Sequence, residues 1–180
     1  MRSNNARRAR SKYPQKRPQS TVSLESRERS RRQYRPRRVR ILFVGEAPPA
    51  SGRFFYHADS GPYRAIRDTF VTAFPSLRSS KGTFLETFRA MGCYLLDLCG
   101  EPVDRMNLHL RRCICLDGEA RLACRLRKLR PMMIVTVVRS IGSNIMTIPA
   151  RTKAPELDSA WLWARNFRIS WLALLASKDA

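Results

Sequence analysis

Thirteen consecutive residues concentrate the side chains of this 180-residue chain that can do chemistry: Gly45-Glu46-Ala47-Pro48-Pro49-Ala50-Ser51-Gly52-Arg53-Phe54-Phe55-Tyr56-His57. They supply a carboxylate, a guanidinium, three adjacent aromatic rings and one of the chain's two histidines. Two prolines and two glycines make the backbone stiff and sharply turned. Glu46 has the chemistry of a group that assists or stabilises charge at a reacting centre. His57 reads either as a general acid or phosphate donor or as an exposed loop histidine. Arg53, within the string, and Arg64, just beyond it, stand where a phosphate would approach.

The surrounding elements set this string at the end of a strand. Val39-Arg40-Ile41-Leu42-Phe43-Val44, ending at Gly45, is a short apolar and β-branched run that predicts a buried strand. Residues 62–74 carry Ile66, Phe70, Val71 and Phe74 at helical spacing behind Pro62, and residues 83–91 repeat the pattern before a stop at Gly92. Residues 93–99 predict a second strand, followed by an irregular stretch through Asn107 and an unassigned region around Arg111. Asp117 is the expected cap of a helix over 118–129. Pro131 ends it and opens a third strand over 132–138, and Ser140 caps a short helix through Ile145. Residues 145–148 are the candidate for a fourth strand. A last helix, with Ala160, Ala164, Phe167, Trp171, Leu174 and Leu175 on one face and the three tryptophans, Trp161, Trp163 and Trp171, read as core, completes the reading.

Continuous apolar strands separated by helices are the signature of a parallel sheet covered on both faces. The expected fold class is therefore α/β, a three-layer α/β/α sandwich with a short parallel sheet. In such sheets ligands bind beyond the carboxyl ends of the strands, where the Gly45 to His57 string begins.

Charge divides the chain. It carries 35 Lys and Arg residues against 14 Asp and Glu, a formal net charge of +21, far beyond what solubility requires, and a polyanionic partner follows. Residues 1–40 hold 15 of the basic residues and two of the acids. The expected division is a disordered Arg-rich tail over 1–38, too poor in apolar residues to offset its chain entropy, and one domain over 39–180. The tail reads as a nucleic-acid-binding arm, as an organelle-targeting segment, or as translated sequence upstream of the domain. An odd number of cysteines without a framework pattern points to an intracellular setting, cytoplasmic or at the nucleoid. No stretch is apolar enough for a membrane span. A monomer is expected.

Val44-Gly45-Glu46-Ala47-Pro48 resembles the first active-site motif of the uracil-DNA glycosylase superfamily, in the form found in its iron–sulfur-containing branch. With Phe55-Tyr56, residues 93–103 and the strand after Pro131, the likeness extends over about 39–142. It implies base excision: DNA, single- or double-stranded, is bound, a deaminated base is flipped out, and its N-glycosidic bond is hydrolysed. In that scheme Gly45, Ala47, Pro48, Phe54, Phe55, Tyr56 and Asp97 contact the base, with the aromatic rings as stacking platform. Glu46 is the catalytic carboxylate with His57 in support, and Arg53 and Arg64 contact phosphate. The sequence departs from the family pattern at three places. Ala47 stands where the best-known branch has a water-positioning Asp, Asp97 stands where the family has an Asn that reads uracil, and no histidine follows His109 to form the late His-Pro-Ser loop. An ionised Asp accepts hydrogen bonds and donates none. Two alternatives remain open: a catalytically impaired nucleic-acid-binding relative, and a small-molecule or nucleotide hydrolase on the same scaffold.

No cofactor and no metal are expected. An iron–sulfur cluster needs four thiolates near the first motif, and no cysteine precedes Cys93. The spacing of Cys99, Cys113, Cys115 and Cys124 does not fit a zinc site, and buried small hydrophobes are the expected role of Cys93, Cys99 and Cys124. Phosphate-binding and dinucleotide glycine strings are absent from the sequence.

Overall fold

The computed structural model describes residues 23–79 and 82–152. The expected C-terminal helix and its three tryptophans lie outside the described residues, as does the greater part of the expected tail. Among the described residues are three strands, β1 (Ile41–Gly45), β2 (Cys93–Asp97) and β3 (Met133–Thr136), and five helices, α1 (Leu24–Gln33), α2 (Gly61–Ala73), α3 (Phe84–Ala90), α4 (Leu108–Leu129) and α5 (Gly142–Thr152).

The fold is mixed α/β around a parallel sheet of order β2-β1-β3. The central strand β1 is buried from Ile41 to Val44, as a continuous apolar run demands. Register sets Gly45 opposite Asp97 and Val44 opposite Thr136, so the three carboxyl ends finish together. Leaving β1 for β2 on one side and returning past it to β3 on the other requires right-handed crossovers on opposite faces. On one face Phe43 meets Phe70 of α2 and Phe88 of α3, with ring centroids 6.4 and 5.3 Å apart. α4 packs with α5, and its buried Cys115 reaches Cys99 just beyond β2.

Among the described residues β2 is an edge strand of the sheet, and its residues Cys93 to Leu96 are buried. The Tyr56 hydroxyl satisfies both backbone groups of Leu95, donating to the carbonyl at 3.0 Å and accepting from the N–H at 2.7 Å. Unpaired backbone groups in that position would be a liability of any buried edge.

Three expectations are corrected. Residues 24–38 are not part of a disordered tail. Ser23 caps α1 by accepting from the Ser26 N–H, Glu25 sits in the first turn, and Arg31 and Arg32 sit in the last, matching the helix dipole. What α1 buries is Arg27 and Arg31, not apolar residues, so a search for apolar periodicity passes over it. α4 starts at the Asn107 cap, whose side chain accepts from the Leu110 N–H, and Asp117 is an exposed mid-helix residue. Its first two turns expose Leu108 and Leu110, and its first buried residue is Cys115, so no apolar stripe announces them. Residues 145–148 lie within α5, with Ile145 and Ile148 buried at helical spacing, and do not form a strand.

Candidate functional site at the carboxyl ends of the strands

Where β1 and β2 end, the chain leaves a cavity of about 130 Å³. Gly45, Glu46, Ala47 and Pro48 come to it from the turn after β1, Asp97 from the end of β2, and Phe54 and Phe55 from the returning loop. The turn is fixed by backbone bonds: Leu98 N–H donates to the Gly45 carbonyl at 2.9 Å and Cys99 N–H to the Glu46 carbonyl at 2.8 Å. Asp59 accepts from the Phe54 N–H at 2.8 Å, which sets the second half of the loop. A Cβ at Gly45 would lie 2.7 Å from Asp97 Oδ1, so a side chain there would displace the Asp97 carboxylate.

The polar side chains of the lining are Ser60, whose hydroxyl accepts from the Tyr63 N–H at 3.2 Å, and two carboxylates, each held by an arginine. Arg111, on the early part of α4 that the sequence left unassigned, grips Glu46 through two nitrogens, with Nε 2.6 Å from Oε1 and Nη2 on Oε2. Ser140 Oγ donates to Oε2 at 3.4 Å, and the Cys115 thiol lies 3.8 Å from Oε1. The Arg111 hydrogen bonds, outweighing burial, hold the Glu46 carboxyl below its usual range. Glu46 is therefore ionised at neutral pH, with a partner guanidinium that balances its charge.

At Asp97, Arg31 Nη2 donates to Oδ2 at 2.8 Å, and both side chains are largely buried, with relative exposures of 6% for Arg31 and 10% for Asp97. Burial pushes the Asp97 carboxyl up, against the pull of Arg31 and Arg27. Arg31 also lies over the Phe54 ring at 5.2 Å and touches Glu28, while its Nε is buried with no partner among the described residues. Arg27 anchors the other end of the helix on the Gly100 carbonyl and Glu101, both at 3.2 Å. A pair of buried guanidiniums thus ties α1 to the strand ends.

Of the residues singled out from sequence, the structure brings together Gly45, Glu46, Ala47, Pro48, Phe54, Phe55 and Asp97. It does not place the other four in the cavity. Tyr56 is as buried as Phe54 and Phe55 but lies outside the lining, and its hydroxyl is committed to Leu95. His57 is exposed, edge-on to Phe54 at 5.3 Å, with Ser30 Oγ 3.0 Å from Nε2. Arg53 and Arg64 are exposed outside the lining, and Arg64 bonds the Asp59 carbonyl at 3.3 Å. The residues that sequence reasoning missed are Arg31, Arg111 and Ser140. Two are arginines in a chain full of them, and their distinction is burial and geometry, which spacing does not reveal.

Among the described residues no group of three His, Cys, Asp or Glu side chains is placed to hold a metal ion, and no helix is long and apolar enough to cross a membrane. In comparisons with known proteins, no family model and no curated sequence matches the chain.

Proposed function

We propose that this protein is a DNA glycosylase-type domain that receives one base of a flipped nucleotide at the ends of β1 and β2 and hydrolyses its N-glycosidic bond. The observation that carries the reading is the cavity's fit to a single ring. A cavity of roughly 150 Å³ takes one benzene-sized molecule, and the 130 Å³ here is lined by apolar Pro48, Phe54 and Phe55, with Glu46, Ser60 and Asp97 as polar members. That composition, mostly apolar with a few placed polar groups, is what a site for a flat heterocycle needs. The net charge of +21 supplies the attraction to the phosphate backbone.

Departure of a base builds positive charge on the sugar, and an ionised carboxylate beside it lowers that barrier. Glu46 is the residue for this role, since its hydrogen bonds keep it deprotonated. Arg111 has a side chain 36% exposed, so a DNA phosphate arriving at the cavity mouth can compete for the guanidinium and leave the Glu46 charge less balanced.

A second reading, a relative that binds a base without cleaving it, is favoured by one observation: both oxygens of Glu46 are engaged by Arg111. The two readings separate on end-labelled oligonucleotides carrying single lesions. Alkali-labile cuts at a lesion, lost in Glu46→Ala, support hydrolysis. Salt-sensitive binding without cuts in the parent protein supports the binding-only reading.

A further inference from the structure

The polar groups of the cavity are not equivalent. Glu46 has both oxygens occupied by Arg111, with Ser140 and Cys115 also in reach. Asp97 is engaged on Oδ2 by Arg31, and no hydrogen bond reaches Oδ1 among the described residues. That oxygen lies beside Gly45, where the absence of a side chain keeps it open, and Asp97 is part of the cavity lining. A carboxylate nine-tenths buried, with one oxygen tied back and the other bare, asks for a hydrogen-bond donor from whatever enters.

From this juxtaposition we infer that Asp97 Oδ1 is the specificity-determining acceptor of the cavity and that the pocket selects an amino-bearing six-membered ring, a pyrimidine of the cytosine type, over one that presents a carbonyl at the same edge. The inference rests on the base-pocket reading above and narrows its substrate class, away from the deaminated bases that the resemblance suggests. Its chemistry is direct. As the carboxylate partner of the Arg31 guanidinium, Asp97 accepts from the exocyclic amine of cytosine. The carbonyl of uracil at that position would meet the carboxylate as acceptor against acceptor, and the hydrogen bond would be lost. Arg31 is the positioning residue. It approaches from α1, takes Oδ2, and so fixes the direction in which Oδ1 points.

The test measures Kd of the full chain for short labelled single strands with one variable base flanked by abasic spacers. The variable position is cytosine, N4,N4-dimethylcytosine, uracil or a further abasic spacer. Cytosine is expected to bind about tenfold or more tightly than uracil, the worth of one hydrogen bond to a charged group. Dimethylcytosine, which keeps the ring and loses the donors, is expected to fall to the level of uracil with the protein unaltered. Asp97→Asn, if it retains the parent's thermal transition, should erase the preference. Equal binding of all four strands, the abasic one included, overturns the base-pocket reading itself. Uracil binding as well as or better than cytosine, with both above the abasic strand, leaves the pocket standing and overturns the role of Asp97.

Discussion

Arg31 and Asp97 form a largely buried ion pair, 2.8 Å between Nη2 and Oδ2, that joins a helix of arginine-rich sequence to the end of the β2 strand. Sixty-six positions separate the two residues in the chain, and their meeting makes α1 part of the domain. Breaking a buried pair by removing one partner leaves an uncompensated charge and costs about 3–5 kcal/mol. Arg31→Ala is therefore expected to lower the thermal transition sharply, and a chain beginning at Val39 to be poorly folded. Arg31→Met combined with Asp97→Leu should recover most of the loss, as measured by denaturant unfolding. Full stability of the chain beginning at Val39 would contradict this assignment.

Tyr56 ties down the edge of the sheet at Leu95 and lies outside the cavity lining. Tyr56→Phe removes the partner of the Leu95 N–H and carbonyl and is expected to cost about 1–3 kcal/mol. Binding of DNA at temperatures where the variant is folded should not change. A lost base preference with unchanged stability would put the hydroxyl in the site after all.

Helix α4 crosses close over the end of β2 at Gly118, where a Cβ would stand 2.5 Å from the Leu98 carbonyl oxygen. Backbone on the other side of the clash has little freedom to yield. Gly118→Ala should cost about 1–3 kcal/mol as overpacking, even though alanine is the better helix former. Denaturant midpoints of the two proteins decide it, and a more stable variant would show that α4 can shift.

Acid sensitivity should have a recognisable contribution from Glu46. Its folded-state pKa lies below the ordinary value of 4.5, with the Arg111 hydrogen bonds as the main cause. Its contribution to stability is therefore present above that ordinary value and is lost as pH falls through the lower folded one. Asp97 acts in the opposite sense. Burial raises its pKa above 3.8, so its contribution diminishes as pH rises through the raised value. In Glu46→Gln, the stability profile over the acid range should flatten relative to the parent. An unchanged slope would mean that the Arg111 contact does not form in solution.

Thiol reactivity should follow burial. Cys93 and Cys99 are buried, and desolvation pushes both thiols up to about 12, so few thiolates form at pH 8. Cys113 is exposed on α4. Alkylation of the native protein followed by peptide mapping is expected to label Cys113 early, and Cys93 and Cys99 after unfolding.

The central sheet and most of the cavity were legible because their signals are local. An apolar run ending in glycine, as at Ile41–Gly45, predicts a buried strand, and the loop after a parallel strand predicts where ligands go. The register that sets Asp97 against Gly45 follows from equal strand lengths around a shared layer. What escaped is held by charge. α1 buries two arginines whose partners, Asp97, Gly100 and Glu101, lie more than sixty residues away. The start of α4 uses Arg111 to reach Glu46 while exposing leucines. Apolar periodicity is blind to both. The three adjacent aromatics were separable only in three dimensions: Phe54 and Phe55 line the cavity, while Tyr56, one residue on, turns its hydroxyl to the strand edge.

The most direct test of the base pocket is photo-crosslinking of the full chain to a single strand carrying one 5-iodocytosine, followed by mapping of the attached peptide. The account predicts attachment within the loop that contains Phe54 and Phe55, abolished by an excess of the same strand without iodine and weakened in Asp97→Asn. Attachment confined to the arginine-rich residues before Ser23, or to the exposed face of α2, would mean that DNA is held by charge alone and that the cavity does not receive a base.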